Sequence, residues 1–257
     1  MKILYCDCAY CDIVDKEKKE SVRSALTASG MDVVAIPDLC RVAAKERSLL
    51  KEVSASGTLS VVACFPRAVK ALLEFAGVDK KVKLRVFNMR TSSASEILAK
   101  LKVPDSGRPY KVVAKKNTAD KKTWIPWFPV IEYARCVNCK QCLSFCLFGV
   151  YELSKKGKVI VAKPENCKTN CPACAKVCPK SAIIFPKYSD APINGGEVDK
   201  NAVATKNLKI DYDKILGDDT YSILLQRRRN ALAGLLNEKT SAVNDKPSKP
   251  RLLKKLK

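Results

Sequence analysis

Cys136-Val137-Asn138-Cys139-Lys140-Gln141-Cys142-Leu143-Ser144-Phe145-Cys146 is answered by Cys167-Lys168-Thr169-Asn170-Cys171-Pro172-Ala173-Cys174-Ala175-Lys176-Val177-Cys178-Pro179. Eight thiols fall within 43 residues, and the 257-residue chain contains no histidine. Such a donor set suits thiolate-bound iron. Three thiols on a short irregular loop can cap three irons of a cluster, and the fourth ligand must arrive from a separate turn of chain. Structural zinc accepts four-cysteine sites, but it does not require eight cysteines in this order with a closing Cys-Pro. Disulfides fit poorly in a chain with no visible secretory segment. Cys167-x3-Cys171-x2-Cys174 also has the spacing of a radical S-adenosylmethionine motif, which needs a large barrel around it.

The two runs, over roughly residues 126–190, resemble a bacterial-type ferredoxin domain carrying two [4Fe-4S] clusters. The resemblance implies an α+β dicluster fold in which the fourth cysteine of each run serves the other cluster. It assigns cluster I to Cys136, Cys139, Cys142 and Cys178, and cluster II to Cys146, Cys167, Cys171 and Cys174. The chain departs from the family pattern twice. Leu147 follows Cys146 where proline is usual, and three residues separate Cys167 from Cys171. Both changes bear on the local geometry of cluster II and leave the ligand set intact.

Elsewhere in the chain, no apolar run approaches the ~18 residues of a membrane span. Thirteen cysteines without an export segment suggest a reducing cytoplasm and metal or redox roles. The formal net charge is +22, and two clusters with their thiolates would lower it to roughly +18. A field this basic favours acidic partners, and by itself it does not choose between a protein face, nucleic acid and an anionic membrane.

Residues 1–101 read as alternating strands and helices. Strands are expected at Lys2–Cys6, Asp32–Ile36, Leu59–Cys64 and Val82–Phe87, and helices at Lys16–Ser29, Arg41–Ser54, Pro66–Ala76 and Ser95–Leu101. This alternation predicts an α/β domain built on a parallel sheet. Cys6, Cys8 and Cys11 lie at or just past the first strand, Cys40 follows the second, and Cys64 closes the third. The carboxyl ends of such strands form the ligand crevice. Two readings follow: a third iron–sulfur cluster, most simply on Cys8, Cys11, Cys40 and Cys64, or dithiol chemistry at Cys8-Ala9-Tyr10-Cys11. The dithiol reading leaves Cys40 and Cys64 without a role. Each cysteine alone could equally be a small apolar core residue.

Ala63-Cys64-Phe65-Pro66-Arg67 and Asn88-Met89-Arg90, with the early cysteines and Cys40, are similar to the N-terminal region of the flavin-bearing component of heterodisulfide reductase. The likeness covers about residues 1–100 and implies an electron-carrying module of a multi-subunit complex. Arg67 and Arg90 could neutralise cluster or partner charge, or be ordinary surface arginines. No G-x-G-x-x-G occurs, so the chain has no flavin or NAD fingerprint.

Residues 102–125 form a basic linker, and Trp124-Ile125-Pro126-Trp127-Phe128-Pro129 should pack the dicluster module, residues 126–195, against the α/β domain. Short strands at Val130–Tyr133 and Ile183–Phe185 and a hairpin of Val150–Leu153 with Val159–Ala162 suggest a diverged duplication. A basic helical extension is expected over 196–238, centred on a helix at Tyr221–Asn237, then a disordered basic tail over 239–257, where seven Lys or Arg face one acid.

Together these observations describe a cytoplasmic iron–sulfur electron-transfer protein with two [4Fe-4S] clusters and a candidate third. It reads as a component or dedicated carrier of an oxidoreductase and would meet a redox partner with an acidic docking face. Nothing in it resembles an acid–base pocket. A thiol/disulfide or substrate reductase is the rival class. A nucleic-acid-binding iron–sulfur protein is a third, though its basic stretches lack interleaved aromatics.

Overall fold

Ile3, Leu4, Tyr5 and Cys6 are all buried, so the first strand is apolar on both faces, as a central parallel strand must be. In the computed structural model, which describes residues 2–103 and 124–198 together with Gln226, β1 (Lys2–Cys6) lies between β2 (Val33–Ile36) and β3 (Thr58–Ala63). β4 (Lys83–Asn88) completes a four-stranded sheet of order β2-β1-β3-β4 with every pairing parallel. Strand alternation sends Ile3 and Tyr5 to one face and Leu4 and Cys6 to the other. The first pair packs with Val22 and Leu26 of α1 (Lys16–Ala28) and with a later helix's Ile97 and Leu101. The second pair packs with Leu39, Cys40, Val42 and Leu50 from the helices after β2.

Those helices correct the expectation of one helix over Arg41–Ser54. Two form instead, α2 (Leu39–Lys45) and α3 (Arg47–Ser54), joined at Glu46 with φ −130° and ψ 49°. Asp38 sets the earlier start, its carboxylate accepting the Arg41 N–H at 2.9 Å as an N-cap. The early start brings Cys40 into the first helical turn. Neither glycine nor proline marks the break at Glu46 in the sequence. The next helix, α4 (Pro66–Ala76), begins with its proline in the first turn and ends on left-handed Gly77. Ser93 and Glu96 close a capping box on α5 (Ala94–Leu101).

The second half is built of two related pieces. β5 (Val130–Ile131) pairs antiparallel with the last strand, β8 (Ile183–Ile184), and β6 (Tyr151–Leu153) forms a hairpin with β7 (Val159–Val161). Short helices α6 (Gln141–Phe145) and α7 (Ala173–Lys176) carry the third cysteine of each run. The duplication extends to the backbone. Asn138 and Asn170, each just before the second cysteine of its run, are both left-handed at φ 55° and 63°. Gly149 and Ser181, each three residues past a fourth cysteine, repeat the pattern at 70° and 47°. The extra residue between Cys167 and Cys171 is taken up ahead of Asn170.

The described residues other than Gln226 belong to the first of two units, Met1–Lys209. Within the first, the aromatic stretch packs the halves together as expected. Phe128 lies between Phe75 of α4, tilted at 47° to it, and Trp124, stacked on it, at centroid separations of 5.4 and 5.8 Å. Burying a phenylalanine this fully is worth about 1.5–3 kcal/mol. Arg67 and Arg90 are both tied to backbone carbonyls of the dicluster half, and Arg90 also pulls the Cys64 thiol down. Arg67 reaches from α4 to Glu132 and to the carbonyls of Ser181 and Gly196, while Arg90 holds the carbonyls of Tyr188 and Ser189. At Gly195, with φ +92°, a Cβ would sit 2.7 Å from the Ala68 Cβ. The closing loop can lie this flat on α4 only with glycine there. The linker over 104–123, the expected helix at Tyr221–Asn237 and the tail lie outside the described residues, apart from Gln226, which is helical.

Candidate metal centres

The thiols gather around three cavities. The first, of about 380 Å³ including space open to solvent, is lined by Cys136, Cys139, Cys142 and Cys178. The second, of about 520 Å³ by the same measure, is lined by Cys146, Cys167, Cys171 and Cys174. Each cavity therefore takes three cysteines from one run and the fourth from the other. Local hydrogen bonds fix the surroundings. Asn138 donates to the Gly157 carbonyl and accepts from the Val159 N–H, tying the first loop to the β6–β7 hairpin. The buried Tyr151 hydroxyl donates to Cys174 Sγ at 3.1 Å, and the Ala182 N–H donates to Cys178 Sγ at 3.3 Å.

Burial pushes the Cys142 and Cys167 thiols well up from their ordinary range, and neighbouring cysteines add to the rise. Cys174 is pushed up to about 12 by burial, against the Tyr151 hydrogen bond. Several buried thiolates cannot share one pocket without a cation that displaces their protons and absorbs their charge. Among the described residues, no three or more Cys, Asp, Glu or His side chains converge on the position of one metal ion. Four thiols lining each cavity are the donor set that an iron–sulfur group takes.

The third cavity, about 320 Å³, lies at the carboxyl ends of the parallel strands. There the order of the sheet changes direction between β1 and β3. Cys6, Cys8, Cys40 and Cys64 line it, with Asp38 and Lys187. Of the four thiols expected there, Cys8, Cys40 and Cys64 do meet. Cys11 does not line the cavity; its N–H turns back to the Cys8 carbonyl at 3.3 Å. Cys6 takes that position, its sulfur accepting the Leu39 N–H at 3.1 Å. The period-two alternation of β1 carried the signal for Cys6, because Cys6 shares its face with Leu4.

Lys187 had no such signal. It enters from the loop after β8 and forms a fully buried ion pair with Asp38, the side chains being 4% and 1% exposed. Burial opposes its charge, but Cys40 and Asp38 outweigh that and hold the ammonium firmly protonated. Burial pushes Cys64 up to about 11 and Cys8 up to about 12, with Lys187 pulling both down.

A family model described as a 4Fe-4S dicluster domain matches residues 135–182. A 67-residue stretch is 49% identical to an uncharacterized ferredoxin of Methanocaldococcus jannaschii, covering 26% of this chain and 45% of that protein. Over 77 residues the chain is 32% identical to Ferredoxin-3 of Nostoc sp., covering 23% of this chain and 78% of the relative. This chain belongs to the ferredoxin family. No solved structure matches it.

As a ferredoxin the chain carries two [4Fe-4S] clusters. It spans less than half of the Methanocaldococcus protein's length. No described helix is long and apolar enough to cross a membrane. The family match ends at residue 182. The parallel sheet, the third cavity and Lys187 are therefore additions to the ferredoxin that the matched domain does not explain.

Proposed function

We propose that this ferredoxin passes single electrons between cluster I on Cys136, Cys139, Cys142 and Cys178 and cluster II on Cys146, Cys167, Cys171 and Cys174. Its N-terminal sheet contributes a third iron–sulfur site on Cys6, Cys8, Cys40 and Cys64. The carrying observation is the four-thiol cavity at the sheet edge, contiguous in one compact unit with the two ferredoxin cavities. Iron–sulfur groups supply reversible one-electron storage. The protein's part is to hold the thiolates, exclude water and set the local charge. Lys187 offsets thiolate charge at the sheet edge, while Tyr151 and the Ala182 N–H stabilise sulfur charge in the ferredoxin half.

Dithiol chemistry at Cys8 and Cys11 gains no support. Burial raises the Cys8 thiol to about 12, which keeps it protonated and weakly nucleophilic at neutral pH. The N-terminal likeness to heterodisulfide reductase supports a role as a component or dedicated carrier of a related oxidoreductase complex. The thirteen cysteines suit the reducing cytoplasm.

Iron and acid-labile sulfide, counted per chain on anaerobically purified protein, test the reading. Close to twelve irons are expected, since each [4Fe-4S] cluster holds four, falling to about eight in a Cys40→Ser/Cys64→Ser variant. Eight irons in both proteins would remove the third site.

A further inference from the structure

Among the described residues, five large apolar side chains stay exposed: Ile125, Val137, Phe145, Leu147 and Phe148. All lie in the dicluster half or its entry, and three fall within the four residues around Cys146. Phe145, Leu147 and Phe148 are 43%, 65% and 40% exposed. The same three line the second cavity with Cys146, Cys167, Cys171 and Cys174. Apolar surface concentrated in one spot of an otherwise polar module marks a contact site far better than scattered exposed residues do. Leu147 carries the feature furthest, because it is the most exposed of the five.

The surroundings of this patch are cationic. Residues 135–182 hold nine Lys or Arg against two acids. Both acids already have a lysine, Glu152 with Lys163 and Glu165 with Lys45. Two clusters with their thiolates would subtract roughly four charges and still leave the module positive. Lys168 and Lys176 are exposed and stand one and two residues from Cys167 and Cys174, whose thiols line the same cavity. An apolar centre beside a lysine rim complements a protein face with an apolar spot ringed by carboxylates. The last nineteen residues of the chain carry seven Lys or Arg and one acid, so their charge opposes rather than complements this rim.

We propose that Phe145, Leu147 and Phe148, rimmed by Lys168 and Lys176, form the docking face through which cluster II exchanges electrons with an acidic redox protein. The proposal rests on the ligand assignment above. Electrostatic steering brings the acidic partner in, and the apolar spot expels water beside the cavity that these three side chains line.

The test uses the whole chain, reduced anaerobically, with an oxidised acidic flavodoxin as the probe acceptor in stopped-flow measurements. A Leu147→Glu/Phe148→Glu variant that keeps the parent's iron content should transfer electrons at least tenfold more slowly at low salt. The milder Leu147→Ser/Phe148→Ser variant should fall in the same direction. The parent's rate should drop steeply with ionic strength, and also when the acceptor's carboxylates are amidated. Unchanged rates in iron-replete variants would overturn the docking face. So would a photo-crosslinker at position 147 that joins the chain's own C-terminal residues or single-stranded DNA instead of the acceptor. Four or fewer irons in the parent would be a different failure, overturning the two-cluster ligand assignment and the docking face with it.

Discussion

The two halves of the described unit both gather four-thiol sites, but they do so by opposite means. In the ferredoxin half the ligand spacing is local. Three thiols follow one another along one short loop, and repeated left-handed residues, Asn138 with Asn170 and Gly149 with Ser181, give both loops the same backbone path. In the α/β half the thiols come from three places far apart in sequence: Cys6 and Cys8 at the end of β1, Cys40 in the first turn of α2, and Cys64 after β3. Only the parallel register of β1 with β2 and β3 brings them to one edge. A loop-built site is a property of a motif, whereas a sheet-built site is a property of a fold. The first can be recognised and transferred as a unit. The second exists only when the whole sheet forms.

The largest effect expected from this difference is a change of ligand count. Cys6→Ser should lower the iron content by about four atoms per chain, the complement of one [4Fe-4S] cluster, while Cys11→Ser should leave it unchanged. Iron analysis alongside the low-temperature paramagnetic spectrum of the reduced protein checks both variants. If Cys11→Ser loses the iron and Cys6→Ser keeps it, the cavity has been assigned the wrong thiol, and the loop Cys8–Cys11 would be acting as a local motif after all.

That pair of residues also marks how far the sequence could be read. The cysteine ladder pointed to the dicluster domain directly, because chain-local ligands leave chain-local spacing. The strand and helix alternation pointed to the parallel sheet, since apolar runs and stop signals such as Gly77 are local too. Cys8, Cys40 and Cys64 were legible as strand-end thiols. Cys6 was legible as a strand-end thiol on the face of Leu4, yet inside β1 it reads equally well as a core residue, and Cys11 drew attention through a C-x-x-C spacing that the cavity does not use. Lys187 was illegible. Its burial depends on Asp38, 149 residues away in the sequence, and a lysine between two short apolar segments otherwise reads as surface. The break at Glu46 was illegible as well, because Asp38 sets the helix start and no breaker residue sets its end.

A smaller effect comes from the seam between the halves. Arg67 spans it with one guanidinium that serves Glu132 at 3.0 Å and three carbonyls, those of Ser181, Pro192 and Gly196. Arg67→Ala would leave a carboxylate that is only 23% exposed with Arg135, 3.9 Å away, as its remaining cation. Losing one partner of a mostly buried pair costs about 2–4 kcal/mol after allowance for its residual exposure. Gly195→Ala attacks the same seam sterically, because its Cβ would overlap Ala68, at a cost of about 1–3 kcal/mol. Denaturant unfolding followed separately by cluster absorbance and by far-ultraviolet circular dichroism checks both. The two signals should move to lower denaturant together. If cluster absorbance kept its midpoint while the helical signal shifted, the halves would be energetically independent, and the sheet-built site would not need its ferredoxin neighbour.

The smallest expected effect distinguishes the two clusters from each other. Cys178 receives its hydrogen bond from a backbone N–H, which no substitution at Ala182 short of proline removes, whereas Cys174 receives one from the Tyr151 hydroxyl. A donor to sulfur stabilises the more negative, reduced form of a cluster, so its loss must lower the reduction potential. One hydrogen bond is worth about 0.5–1.5 kcal/mol. With 59 mV per tenfold for one electron, that is a drop of roughly 20–65 mV in Tyr151→Phe. The ring remains in its buried position, so packing and iron content should hold. Direct electrochemistry on the parent and on Tyr151→Phe should show one couple move down and the others stay. If the couple that moves were the one abolished by substituting Cys136 instead of Cys167, Tyr151 would be tuning the wrong cluster. The crossing of the fourth cysteines between the two cavities would then have to be redrawn.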